Sequence, residues 1–201
     1  MNRLHWCAVV AFVLAIAVTD GVVHAQHNMI VDCSATDKPK LERALSRALE
    51  LLRRPHSEWA YHRLFGDERS IRASADDILL RIHDGFQYLS AASEGALETY
   101  PNQNFVFACA VRDCGDNDAH IRPGSMRIEI CPSFFTGLPF EGRGWNHTQV
   151  GTLVHEAAHR FIGGDDHFAE TYDEALDLAQ SAAYYAMANP DSYAYFIQED
   201  P

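Results

Sequence analysis

His155, Glu156 and His159 stand in the pattern His-Glu-Ala-Ala-His, within residues 146–164 (NHTQVGTLVHEAAHRFIGG). On a helix, positions i and i+4 lie one turn apart on one side, so both imidazoles can reach a single ion. Glu156 projects beside them, where a carboxylate can take a proton from a metal-bound water. This is the H-E-x-x-H zinc signature. A catalytic zinc keeps three protein ligands and one open position for water. One Zn2+ ion is therefore expected, held by His155, His159 and a residue beyond Gly164. Two unrelated histidines beside a solvated glutamate would be the blander interpretation. It fits poorly, because the segment around them is apolar and nearly uncharged.

These side chains need a helix to carry them. Asn146 followed by Gln149 makes a candidate capping box, with Thr148 the second choice of cap. Val150, Leu153, Val154, Ala157, Ala158 and Phe161 supply an apolar face, and Gly163 and Gly164 permit the left-handed ending. Arg160 is expected on the outer face. For the third ligand, the longer metzincin pattern fails, because Ile162 and Asp165 occupy the glycine and histidine slots. A glutamate from a downstream helix would be Glu170 or Glu174. An aspartate on the turn would be Asp165 or Asp166, with His167 as an outsider.

The rest of the chain sets the context. Residues 1–25 read as a signal peptide: Arg3 near the start, an apolar run over 6–18, and a small-residue cleavage site at Val23, His24 and Ala25. The run is too short to span a bilayer comfortably, so no stable membrane association is expected after cleavage. A secreted or periplasmic protein follows, with residues 26–201 forming one metallopeptidase domain. The net charge is −12, which excludes nucleic acid as a natural partner and favours encounter with basic peptides or proteins. A monomer is expected. Cys7 leaves with the signal, and Cys33, Cys109, Cys114 and Cys131 remain, an even number that predicts two disulfides in an exported chain.

Leu41, Ala44, Leu45, Ala48, Leu49 and Leu52 recur at helical spacing from Asp37 to Pro55. A short helix carrying Trp59, Leu64 and Phe65 should precede Gly66. A third should be capped near Ser74 and end near Gly95. Residues 104–111 and 126–130 read as two strands, an antiparallel pair joined by a turn-rich stretch. The Asp113, Asp116 and Asp118 cluster in that stretch lacks calcium-loop spacing and is turn chemistry. Cys131-Pro-Ser-Phe-Phe should lead into a loop, residues 172–187 form one helix, and 189–201 a short aromatic tail.

The chain resembles the deuterolysin, or aspzincin, family of secreted zinc endopeptidases, which includes the peptidyl-Lys metalloendopeptidases. The resemblance rests on HEAAH, on the GGDDH turn followed by Tyr172, on Cys131-Pro-Ser-Phe-Phe135, and on NPDSYAYF over 189–196. It implies an α+β, zincin-like fold: a mostly helical single domain with a small antiparallel sheet and an HExxH helix. It implies Asp166 as the third zinc ligand and Tyr172 as the tyrosine that assists the substrate carbonyl, though packing beneath the last helix is the alternative for Tyr172. It implies pairing of Cys33 with Cys109 and of Cys114 with Cys131. Some family members line a lysine pocket with two acids three residues apart. Asp191 matches the first and Ala194 stands at the second, so a preference for basic residues is expected more than a strict lysine requirement. The expected function is peptide-bond hydrolysis in protein or peptide substrates, with Glu156 activating the zinc-bound water. The competing interpretation is a secreted binding protein with a structural or vestigial zinc. A structural site closes its fourth position with cysteine or histidine, and no suitable cysteine lies near this helix.

Overall fold

The computed structural model describes residues 30–87, 105–109, 114–143, 147–163, 168–169 and 171–199. The expected signal segment, and with it the cleavage site, lies outside them. Among the described residues the order is β1 (Ile30–Val31), α1 (Lys38–Leu52), α2 (Glu58–Phe65), α3 (Arg69–Gln87), β2 (Val106–Ala108), β3 (Ala119–Ile121), β4 (Arg127–Ile130), α4 (Pro132–Thr136), α5 (Gln149–Ile162), α6 (Tyr172–Ser181), α7 (Ala183–Met187) and α8 (Pro190–Glu199).

The strands form one sheet in the order β1-β2-β4-β3. It is mixed, which corrects the expected antiparallel pair. β2 lies parallel to both β1 and β4, and only β3 with β4 is antiparallel. Residues 109–126 separate β2 from β4, long enough for the crossover that a parallel pair needs. Within that stretch, β3 takes the antiparallel place beside β4 that a direct hairpin would have given to β2. The register puts Ile30, Phe107, Ile128 and Ile121 in one row across the sheet. Phe107 meets Phe86 of α3, and Phe105 just before β2 meets Phe161 of α5 edge to face. Those aromatic contacts join sheet and helices into one core.

α1 follows its heptad-like spacing closely, with Leu41, Ala44, Leu45, Ala48, Leu51 and Leu52 buried. α3 begins at Arg69, six residues earlier than a cap at Ser74 would place it; its expected end near Gly95 lies outside the described residues. Cys131-Pro132 starts the short helix α4, since proline at the first helical positions suits a helix start, and the expected loop from Leu138 follows it. The expected single helix over 172–187 breaks at Ala182 (φ −155°, ψ 64°). Gly66 lies directly against this break. It ends α2 with φ +75°, and a Cβ there would fall 2.7 Å from Ala179 O and 3.1 Å from the Ala183 Cβ. The end of α2 therefore comes directly against the point where α6 gives way to α7.

The largest departure from expectation is the aromatic tail. Pro190–Glu199 is a helix with all ten residues buried. It packs along α5, and Tyr193 and Phe196 pack against Phe65 of α2 with ring centroids at 5.0 and 5.1 Å. Asn189-Pro190 is a helix start, asparagine before proline at the first position. No helix among the described residues is long and apolar enough to cross a membrane. The disulfides are Cys33–Cys109, tying the ends of β1 and β2, and Cys114–Cys131, tying the segment before β3 to the end of β4.

Candidate active site

α5 carries the site, and its first backbone donors are all anchored. Gln149 N donates to Pro139 O (2.8 Å) and Val150 N to Phe140 O (3.2 Å). Gly151 N donates to the Thr148 hydroxyl at 2.8 Å, so Thr148 is the cap. Asn146, the first choice for that role, lies outside the described residues. Three of the donors that a helix start leaves without intrahelical partners are thus satisfied. The regular ladder begins with Thr152 N donating to Thr148 O at 2.8 Å. Thr148 in turn donates to Gln198 Oε1 of α8 at 2.7 Å, and Gln149 Nε2 donates to Phe134 O. At the other end Gly163 adopts φ +62° and its N–H reaches His159 O. The helix is held at both ends, and its imidazoles inherit that rigidity.

His155 and His159 face one another, with their Nε2 atoms 3.1 Å apart. Two nitrogens sharing a tetrahedral zinc at ~2.0–2.1 Å would lie roughly 3.3 Å apart, so the pair needs little adjustment to hold one ion. Behind it, Nδ1 of His155 donates to Asp191 Oδ1 at 2.7 Å. That bond fixes the tautomer, leaving Nε2 as the ligating nitrogen. Asp191 sits in the first turn of α8, where the helix dipole favours a carboxylate, and it is 4% exposed. Glu156 is buried on α5 beside the two histidines. The donor set present, two opposed imidazoles with an oriented carboxylate behind one of them, fits zinc.

Of the residues expected as candidates for the third ligand, Asp165, Asp166, His167 and Glu170 lie outside the described residues. Among the described residues no group of three metal-binding side chains assembles. Glu174 lies within α6, where its carboxylate accepts from Thr171 N at 3.0 Å and Thr171 caps the helix in return. Arg160 donates from Nε to Met126 Sδ at 3.2 Å, so it lies partly buried against the segment before β4 and not on an outer face. His120 pairs with Glu129 across β3 and β4 at 2.6 Å, and His147 is exposed.

Tyr172 opens α6. Its ring meets that of Tyr195 on α8 at 5.2 Å and 71°, and its hydroxyl is buried with no hydrogen-bond partner among the described residues. Tyr195 lies one helical turn after Asp191, and its phenol is held well above the usual tyrosine range by burial, then by the negative charges of Asp191 and Glu174. His155 thus bonds Asp191, whose charge acts on Tyr195, whose ring in turn meets that of Tyr172. Sequence reasoning missed the Asp191–His155 bond and the Gln198 anchor, since both depend on α8 being a helix. The Asn189-Pro190 start signal was the clue to it.

Comparison with known proteins agrees with this architecture. A family model described as lysine-specific metallo-endopeptidase, the aspzincins, matches residues 86–198. A peptidyl-Lys metalloendopeptidase of Pleurotus ostreatus is 28% identical over 176 residues, covering 85% of this chain and 96% of that protein. One from Armillaria mellea is 32% identical over 108 residues, covering 51% of this chain and 28% of that protein. An extracellular protease of Aeromonas hydrophila is 30% identical over 94 residues, covering 44% and 26%. The chain thus spans less than a third of the Armillaria and Aeromonas proteins and nearly all of the Pleurotus one. Among solved structures, the zinc peptidase from Grifola frondosa superposes with a TM-score of 0.63 at 22% identity, covering 83% of this chain and 96% of that one, which establishes the shared fold. With the HExxH helix, the two disulfides and the mixed sheet in place, the chain belongs to the aspzincin family of metalloendopeptidases.

Proposed function

We propose that this protein is a secreted zinc-dependent endopeptidase that cleaves protein or peptide substrates with a preference for basic residues near the cut. The observation that carries the proposal is the opposed pair of Nε2 atoms on α5 with Asp191 fixed behind His155. Secretion is supported by the signal-like residues 1–25 and by the two disulfides, which persist in oxidising compartments. The preference for basic residues is supported by the net charge of −12 and by the resemblance to peptidyl-Lys enzymes.

His155, His159 and Asp166 are the proposed ligands of one ion. Zinc, when bound, supplies Lewis acidity, which acidifies water and polarises a carbonyl. Glu156 accepts the proton of the attacking water on its carboxylate and later delivers it to the leaving amine. Its burial on a helix held at both ends keeps that carboxylate in reach of the same point throughout. Tyr172 donates its hydroxyl to the oxygen of the scissile carbonyl as charge develops there. Support for that role is a buried phenol oxygen with no partner among the described residues, which a functional hydrogen bond would satisfy. Asp191 orients His155, and the substrate-pocket role expected of it from sequence is weighed against this one by a single substitution, Asp191→Asn.

The test is Glu156→Gln, assayed against a denatured protein and a peptide library. The variant should retain stoichiometric zinc and cleave nothing. A zinc-loaded variant with full activity would overturn the mechanism. Mapping the cut sites of the unaltered protein tests the basic preference in the same experiment.

A further inference from the structure

Arg63 of α2 is a charged neighbour of the proposed oxyanion donor. It lies over the Tyr172 ring, with its guanidinium carbon 5.4 Å from the ring centroid. The same carbon is 4.5 Å from the ring of Trp59, one turn earlier on α2. Arg63 also reaches Glu199, with Nη1 3.7 Å from Oε1 of a carboxylate that is 8% exposed. The guanidinium thus touches two aromatic faces and a buried anion from three different helices.

We infer that Arg63 is a positioning residue for Tyr172: held by Glu199 and Trp59, it fixes the Tyr172 ring against Tyr195 and makes its hydroxyl a better donor to the substrate oxygen.

Three observations converge on this. Tyr172 is the first residue of α6, where the helix offers a side chain little support from a preceding turn. Its ring is instead fixed from outside, by Tyr195 edge to face and by Arg63 over the ring. A planar guanidinium lies flat on aromatic faces in a way that an ammonium does not. A cation beside a phenol also favours negative charge on its oxygen, which strengthens the hydroxyl as a donor when charge builds on its partner. The Glu199 carboxylate, itself buried, draws the partly exposed guanidinium toward this side of α2.

This inference rests on the reading of Tyr172 as the oxyanion donor, and a double-mutant cycle separates the two. The zinc-loaded full chain is assayed with a quenched-fluorescence peptide built on the sequence it cuts fastest, unaltered and with Tyr172→Phe, Arg63→Met and both. Tyr172→Phe should lower kcat by ~10²–10³-fold, the usual effect of removing one oxyanion donor. Arg63→Met should lower kcat about tenfold, within the range of a partly exposed cation on an aromatic face, with KM and zinc content unchanged. In the Tyr172→Phe background the same Arg63 change should alter kcat less than about twofold, as expected of coupled residues. An Arg63 effect of equal size in both backgrounds, or no effect in either, overturns the role of Arg63 alone. An unchanged kcat in Tyr172→Phe overturns the oxyanion reading itself. Arg63→Lys retains charge near Glu199 and guards against misfolding of Arg63→Met. It should recover the melting temperature but less than half of the lost kcat, and full recovery would overturn the claim that the flat guanidinium face matters.

Discussion

Nδ1 of His155 donates to Oδ1 of Asp191 at 2.7 Å, across the contact between α5 and α8. Removing such a partner of a ligating histidine typically weakens metal binding by about 10–100-fold. Asp191→Asn should therefore lower zinc affinity by that order in a chelator competition, with the fold retained. Unchanged zinc affinity with a raised KM for lysine-containing peptides would return Asp191 to the substrate pocket.

The third ligand is tested separately. Asp166→Ala should give a folded protein that no longer retains zinc through dialysis, measured by metal analysis. Retained zinc would point to Asp165 or Glu170 instead.

Thr148 links the start of the metal-binding helix to the last one, accepting from Gly151 N and donating to Gln198. Thr148→Ala removes the cap and leaves a buried Gln198 oxygen with one partner fewer. The loss should be about 1–2 kcal/mol from the cap alone, seen as a lower midpoint in urea unfolding. A midpoint within error of the unaltered protein would show that the cap is dispensable.

Two buried phenols, Tyr193 and Tyr195, and the half-buried Tyr61 set the response to alkali. Burial is the first cause for Tyr61, Tyr193 and Tyr195, and all three are held above the ordinary tyrosine value of 10.0. Their folded-state pKa is raised, so the stability they represent is fully present below about pH 10, the unfolded value, and is lost as pH rises beyond it. Tyrosine ionisation, followed by ultraviolet absorbance, should therefore lag for these residues and then appear together with loss of near-ultraviolet dichroism. Complete ionisation of all tyrosines around the ordinary value with the fold intact would contradict this.

Cys114–Cys131 closes a loop of sequence separation 17 around β3 and β4. Replacing both cysteines with serine should cost about 2–4 kcal/mol of stability, read from denaturant unfolding under oxidising conditions. Equal stability of variant and parent would mean that the sheet holds β3 in place unaided.

How much of this was legible in the sequence depended on whether the signal was local. The heptad-like leucines of α1, the HEAAH spacing and the glycine ending at Gly163 are short-range patterns, and each lies where the pattern puts it. The strand partners were not legible, because β2 pairs in parallel with β4 across residues that themselves contain β3. No local pattern encodes that choice. The break at Ala182 is likewise invisible in the local sequence, and the residue packed against it, Gly66, is distant in the chain. The tail over 189–199 is a different case. It was expected only as a short aromatic tail, whereas Asn189-Pro190 already signals a helix, and Asp191 acquires its bond to His155 only within that helix.

The burial of α8 also has a consequence for the order in which the site is completed. The helix that carries His155 and His159 is synthesised before the residues that orient and anchor it, Asp191 and Gln198. A nascent chain that has reached residue 162 holds the zinc signature but lacks the Asp191 carboxylate behind His155, the Gln198 anchor under Thr148 and the aromatic wall of Tyr193 and Phe196. The two histidines thus acquire their observed surroundings only once residues 190–199 have been added, and a chain ending before Asp191 would lack the bond that orients His155.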